Sequence, residues 1–199
     1  MRKVALVLMM LIAVPLYAEE ETLFHGKVEH GGFGAPVVKF TQIKDEFGVL
    51  VGGRGGWIIN HNFVLGGGGY GLANHNIDER EITPDSILYL ALGYGGVEME
   101  YICRPHKLVH LTFQALIGAG WVSYQEKYRH HRDENNFGLD GDAFFITEPG
   151  FNAELNVTTF FRADVGAGYR FVSGVNSDWM KNSDLAGPSV NVTLKFGKF

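Results

Sequence analysis

The segment from Phe161 to Phe171, Phe-Arg-Ala-Asp-Val-Gly-Ala-Gly-Tyr-Arg-Phe, alternates apolar or small residues with charged residues or glycine. A strand directs successive side chains to opposite faces. Phe161, Ala163, Val165, Ala167, Tyr169 and Phe171 therefore share one side, while Arg162, Asp164 and Arg170 share the other. In a soluble sheet the apolar side would need a covering layer. Segment after segment repeats the pattern, and no amphipathic helix is available to supply that layer. Apolar strand faces without a protein partner fit hydrocarbon, and strands in hydrocarbon must close into a barrel because an open edge leaves backbone groups unpaired.

The N-terminus agrees with that setting. Met1-Arg2-Lys3 precedes a short apolar run, Val4 to Val14, then Pro15-Leu16-Tyr17-Ala18 and the acidic Glu19-Glu20-Glu21. The run falls short of the roughly 20 residues of a transmembrane helix. It reads as the core of a secretory signal peptide, residues 1–18, cleaved near Ala18. No cysteine adjoins the cleavage point to carry a lipoprotein anchor. Residues 19–33 form a polar periplasmic lead and residues 34–199 a single barrel domain without a linker.

With Arg2 and Lys3 removed, 15 Lys and Arg face 22 Asp and Glu, a net charge near −7 that argues against nucleic acid as a partner. Cys103 is alone, so the chain has no intramolecular disulfide and no cysteine-based zinc site. It reads as a small apolar filler in a strand. The 27 Gly with 15 Phe, 8 Tyr and 3 Trp suit tightly curved strands and aromatic belts.

Eight strands are predicted, near 34–44, 47–59, 63–74, 87–103, 108–126, 143–157, 161–173 and 187–198. Connections at 60–62, 104–107 and 158–160 are short, whereas 75–86, 127–142 and 174–186 are long and polar. Only Lys44-Asp45-Glu46 is short where a long connection would be expected. Short turns on one side and long loops on the other place both termini in the periplasm. The fold class is thus all-β: an eight-stranded antiparallel up-and-down transmembrane barrel after a cleaved signal peptide, in the outer membrane of a Gram-negative cell.

Facing can be assigned strand by strand. Val109, Leu111, Phe113, Ala115, Ile117, Ala119 and Trp121 face out, with His110, Thr112 and Gln114 inward. Phe145, Phe151, Ala153, Leu155 and Val157 face out, with Glu148, Asn152, Glu154 and Asn156 inward. Val190, Val192, Leu194 and Phe196 oppose Asn191, Thr193 and Lys195. In the fourth strand Val97, Met99 and Tyr101 oppose Glu98 and Glu100, but Leu88, Leu90 and Leu92 break the parity, which suggests a bulge near Gly95-Gly96. The third strand, with Gly66 to Gly69, offers no usable alternation.

The inward set holds Arg54, Arg162, Arg170 and Lys195 against Glu98, Glu100, Glu148, Glu154 and Asp164. An eight-stranded barrel has an interior that side chains fill, and unpaired buried charges cost several kcal/mol each. The near balance points to an ion-pair network that plugs the lumen. Pairing Val157 with Phe161 sets Glu148 opposite Arg170, Asn156 opposite Arg162 and Glu154 opposite Asp164. The last pair needs Arg162 on the diagonal or a shared proton. Pairing Ile59 with Phe63 sets Arg54 opposite Gly68, where glycine makes room for the arginine; the alternative is a thinned wall opening a small pore around it.

Trp57, Tyr101, Trp121, Tyr124, Phe145 and Phe161 suit two aromatic girdles at the membrane interfaces. Trp179, in the last long loop, is not explained by the membrane; it meets a partner or caps the rim.

In pattern, nearly the whole mature chain resembles the eight-stranded outer-membrane barrels of OmpA and OmpX architecture. The C-terminal stretch from Val190 to Phe199 resembles the terminal-strand signal read by the barrel assembly machinery, with Phe199 as the terminal aromatic. The alternation from Val190 to Phe196 is one residue out of step with Phe199, so either Phe196 is the residue read or a bulge lies at Gly197. The ending Leu194-Lys195-Phe196-Gly197-Lys198-Phe199 and the stretch Glu148-Pro149-Gly150 are also similar to many small outer-membrane barrels. The resemblance implies location and fold, with lipid and lipopolysaccharide as neighbours, and no activity.

Chemistry is sparse. The loop at 127–142 carries His130, His131, Asp133, Glu134, Asp140 and Asp142, groups able to hold a divalent ion. Arg129 and Arg132 oppose a cation there, adjacent histidines rarely chelate together, and the loop reads as a solvated surface; its arginines suit lipopolysaccharide phosphates. Lipid A deacylases resemble a His-x-Ser pair on the membrane face. Here His110 leads to Thr112 and His131 to Asp133. No catalytic residues, cofactor or metal are expected. Activity is assigned to the loops, as surface binding or envelope scaffolding, with a narrow channel or a lipid-modifying barrel enzyme as the alternatives.

Overall fold

The computed structural model describes residues 28–74, 80–83, 86–128, 138–177 and 179–199. The proposed signal peptide lies outside the described residues, as do residues 129–137, which hold His130, His131, Asp133 and Glu134. The chain forms β1 (His30–Ile43), β2 (Glu46–Ile59), β3 (Phe63–Leu72), β4 (Arg80–Thr83), β5 (Ser86–Ile102), β6 (Val109–Tyr128), β7 (Gly138–Asn156), β8 (Phe161–Ser173), α1 (Asn182–Leu185) and β9 (Gly187–Lys198).

Hydrogen-bonded neighbours run β3-β2-β1-β9-β8-β7-β6-β5, and a β3–β5 ladder closes the ring. Eight strands thus make a closed antiparallel up-and-down barrel, in which every edge is paired. β4 stands outside the ring and pairs with the far end of β5, so the 75–86 connection contains a strand where only a loop was expected.

Two connections carry consecutive residues with positive φ. Lys44 and Asp45 (φ 50° and 64°) join β1 to β2, and Asn60 and His61 (51° and 60°) begin the turn between β2 and β3. Consecutive positive φ values belong to the hairpin turns whose twist matches that of the flanking strands. That is why the β1–β2 connection stays tight at the end where the other connections are long.

The outer face is apolar. Val97, Ile117, Phe151, Val165 and Val190 are 42–56 % exposed. β2, β3 and β5 pair glycine with glycine at Gly53↔Gly69, Gly55↔Gly67 and Gly69↔Gly95. A Cβ on Gly95 would stand 2.8 Å from the Gly68 carbonyl oxygen, so the strands approach more closely here than side chains allow.

No bulge interrupts Gly95-Gly96: the β3–β5 and β5–β6 registers run through it without a shift. Leu90 and Leu92 point inward with Tyr94, Glu98 and Glu100, so the parity holds and the apparent break was an apolar stretch of the lumen. β3 alternates as well, with Val64 and Tyr70 buried and Leu65 exposed; its glycines concealed the period.

Candidate functional site in the barrel lumen

Inward-facing charged side chains meet in a layer across the middle of the barrel. Arg54 Nη2 lies 2.8 Å from Glu100 Oε2, and Arg54 Nη1 lies 3.4 Å from Glu98 Oε2 and donates to Gln114. Lys195 Nζ lies 2.6 Å from Glu100 and also pairs with Glu154. Arg162 Nη1 reaches Glu154 at 2.8 Å, and His110 Nε2 lies 3.0 Å from the same carboxylate. Asp164 sits 3.6 Å from Lys195 and 3.7 Å from Arg54. Glu154 and Asp164 are register partners; Lys195 meets both carboxylates, while Arg162 faces Glu154 and Arg54 faces Asp164.

Glu148 anchors a second group. Its carboxylate takes Lys39 Nζ at 2.8 Å, the Tyr94 hydroxyl at 2.9 Å and the Ser189 hydroxyl at 2.9 Å. Lys39 Nζ also lies 3.6 Å from the centre of the Tyr70 ring, and the Tyr70 hydroxyl donates to Glu98 at 2.6 Å. Through Tyr70 the two groups become one network. A Cβ on Gly68 would come within 2.6 Å of Glu98 Oε1 and 3.0 Å of the Tyr70 oxygen. Gly68 therefore makes room for the Tyr70–Glu98 bond, which shifts its role from the arginine opposite it to the carboxylate.

Apolar layers close the charged layer above and below. Ile58, Val64 and Ile102 pack with Phe33 and Phe199 at the end that holds both termini. At the other end Leu50, Leu90, Leu116, Val122, Phe144 and Ile146 pack together. The 174–186 connection turns into this layer: Met180 and Leu185 are 2 % and 0 % exposed. It is held by Lys44 N–H to the Asp184 carbonyl (2.8 Å) and by Arg170 Nε to the Leu185 carbonyl (2.7 Å).

Several expected residues take other places. Arg170 is buried and registers near Glu148, but it serves the plug, while Lys39 supplies the ion pair to Glu148. Tyr124, assigned to an aromatic girdle, faces inward at 8 % exposure and packs at 4.8 Å against Trp179, which caps the rim from the plug. The parity of β6 dictates this, since Trp121 faces out and Tyr124 lies three positions on. Trp57, Tyr101, Trp121 and Phe145 are about half exposed on the outer face, and Phe161 stacks on Phe196 at 4.9 Å. No bulge lies at Gly197, because Phe33↔Gly197 continues the β1–β9 register. Phe199 consequently turns inward beneath the Arg162 guanidinium, 4.0 Å from its ring centre, and leaves Phe196 as the exposed terminal aromatic. Cys103 falls one residue past β5 and is half-buried. Asp142 accepts the Asn176 N–H at 2.5 Å, tying the base of one long connection to another.

Lys39, Tyr70 and Tyr94 escaped the sequence reading. The signal for Lys39 was the run Val37-Val38-Lys39-Phe40-Thr41, in which the parity of Lys39 and Thr41 matches the inward side; apolar residues on both faces hid it.

No family model matches the chain, and no curated protein does. Among solved structures, it is similar to Neisserial surface protein A (NspA) with a TM-score of 0.59 at 13 % identity, over 87 % of this chain and 100 % of that one. The fold is that of the small eight-stranded outer-membrane barrels. The N-terminal barrel domain of OprF from Pseudomonas aeruginosa is similar with a TM-score of 0.52 at 9 % identity, covering 86 % of this chain and 99 % of that domain. Ail of Yersinia pestis, in complex with the heparin analogue sucrose octasulfate, is similar at 0.50 and 10 % identity, over 84 % and 97 % of the two chains.

Proposed function

We propose that the protein is an integral outer-membrane barrel that neither catalyses nor conducts, and that presents its long connections outside the cell as binding or scaffolding elements. The observation that carries this reading is the filled lumen. Charge is paired across the middle, and Met180 and Leu185 close the apolar layer at the mouth. A water-filled channel would leave its charged groups hydrated, whereas Lys39, Glu100, Glu154 and Lys195 are each no more than 3 % exposed. The exposed apolar wall matches hydrocarbon, and Trp57, Tyr101, Trp121 and Phe145 match its interfaces.

The lumen also argues against chemistry at His110. Its Nε2 faces Glu154 at 3.0 Å and its Nδ1 faces the Lys107 carbonyl at 3.1 Å, which leaves neither ring nitrogen open to a substrate. Phe196, 46 % exposed beside Phe161, suits recognition by the assembly machinery. Outer-membrane lipid and lipopolysaccharide are the partners assigned to the wall and the loops.

Planar-bilayer recording tests the reading. Purified barrel is expected to insert without unitary current. Steady current that falls on Arg54→Ala would instead establish the channel alternative. Altered lipid A masses on overexpression would establish a lipid-modifying enzyme.

A further inference from the structure

The outer surface of the β1–β9 seam, near the barrel mouth, carries a feature that a plugged scaffold does not need. β1 and β9 stay in register up to Thr41↔Ser189. Beyond that pair the ladder stops, because Pro188 has no N–H to donate. Its carbonyl is taken from inside by the Thr41 hydroxyl at 2.8 Å. The backbones stay close, with a Cβ on Gly187 coming within 3.2 Å of the Gln42 carbonyl oxygen, and two grooves adjoin this end of the seam. The lower, of about 210 Å³, runs between Phe40, Phe47 and Val190. The upper, of about 320 Å³, is lined by Lys44, Asp45, Tyr169, Ser183 and Asp184. Gln42 and Pro188 line both, so the apolar groove runs directly into the polar one.

We propose that this seam binds one outer-leaflet glycolipid, with an acyl chain in the Phe40–Phe47–Val190 groove and sugar hydroxyls in the groove lined by Gln42, Asp45, Ser183 and Asp184. The site rests on the outer-membrane reading above. Phe40, Phe47 and Val190 are 40 %, 64 % and 49 % exposed and continue the apolar wall, so the chain that fills the lower groove comes from the surrounding lipid. The head group follows from the charges. Asp45 and Asp184 line the upper groove, the Asp184 carboxylate accepting the Lys181 N–H at 3.0 Å and the Ser183 hydroxyl at 3.4 Å, and the Lys44 ammonium is bonded to the Tyr124 hydroxyl at 3.1 Å. A phosphodiester would meet net negative charge there. Hydroxyl groups suit it, since they donate to carboxylates and exchange hydrogen bonds with the Gln42 amide. Tyr169, 44 % exposed, offers a ring face at the flank.

The test uses full-length mature barrel in nanodiscs that hold equal amounts of diglucosyl diacylglycerol and phosphatidylglycerol, followed by native mass spectrometry. One retained glycolipid per barrel is expected, with phosphatidylglycerol retained about ten-fold less. Val190→Trp fills the lower groove and Gln42→Leu removes the amide; each is expected to cut retention about ten-fold. Val192→Trp, on the same exposed face of β9 but away from the groove, is expected to change nothing. A heat-modifiable gel band verifies that each variant is folded. Equal retention of both lipids, unchanged retention in Val190→Trp, or equal loss in Val192→Trp overturns the site alone. A mature chain that stays soluble without detergent overturns the membrane reading and the site with it.

Discussion

Lys39 on β1 and Glu148 on β7 meet 2.8 Å apart across the lumen, although two other strands separate them in the barrel wall. Removing one partner of a buried pair leaves an uncompensated charge, at a cost of about 3–5 kcal/mol. Lys39→Met is expected to lose stability on that scale. Lys39→Met with Glu148→Gln is expected to lose much less, because Gln keeps hydrogen-bonding capacity toward Tyr94 and Ser189. Urea unfolding in vesicles, followed by tryptophan fluorescence, measures both; equal losses would show that the pair itself contributes nothing.

Gly68 and Gly69 are neighbours with opposite tolerance. A Cβ on Gly68 meets Glu98 Oε1 at 2.6 Å, whereas one on Gly69 finds its nearest atom, the Tyr94 carbonyl oxygen, at 3.9 Å. Gly68→Ala is expected to cost about 1–3 kcal/mol by displacing the Tyr70–Glu98 bond. Gly69→Ala is expected to be neutral or slightly stabilising. The same unfolding assay ranks them, and a reversed order would refute the account of Gly68.

Val165 is 56 % exposed on the outer wall of β8. On a soluble barrel Val165→Arg would change stability by less than about 0.5 kcal/mol. In hydrocarbon it is expected to cost about 2–4 kcal/mol and to lower the yield of folded barrel in vesicles. A yield equal to wild type would place this face in water.

The plug is held by burial on both sides of Lys181, with Met180 and Leu185 almost fully enclosed. Leu185→Asp is expected to release the segment while the barrel keeps its heat-modifiable migration. Trypsin cleavage after Lys181 in sealed proteoliposomes then rises about ten-fold for each 1.4 kcal/mol of lost docking energy. Unchanged cleavage would mean that the segment is anchored elsewhere.

Reading from sequence succeeded where the period-two pattern was clean. β8 and β9 show it without interruption, and β6 shows it as far as Trp121; their outward residues are those the pattern named. It failed on β5 because Leu90 and Leu92 are apolar yet face the lumen, so hydrophobicity ceased to mark the outside. On β3 four successive glycines carried no side chain to mark either face. Tyr124 lies near a strand end as an interfacial aromatic would, yet three positions from the outward Trp121 its parity turns it into the lumen.

The chain alone determined the eight wall strands, the registers across their short turns and most of their facing, because these follow from local alternation and from turns only a few residues long. It could not name the partners of the interior charges. Lys39–Glu148, Arg54–Glu100 and Lys195–Glu100 join strands that are not neighbours in the wall. Those meetings depend on how the whole sheet tilts and staggers as it closes. The same closure brings Met180 and Leu185 over the mouth. The charges of the Phe161–Phe171 strand were legible as inward from the start, and so was Arg162 beside Glu154, but only the closed barrel decided that Lys195 would share Glu154 and that Arg170 would hold the plug.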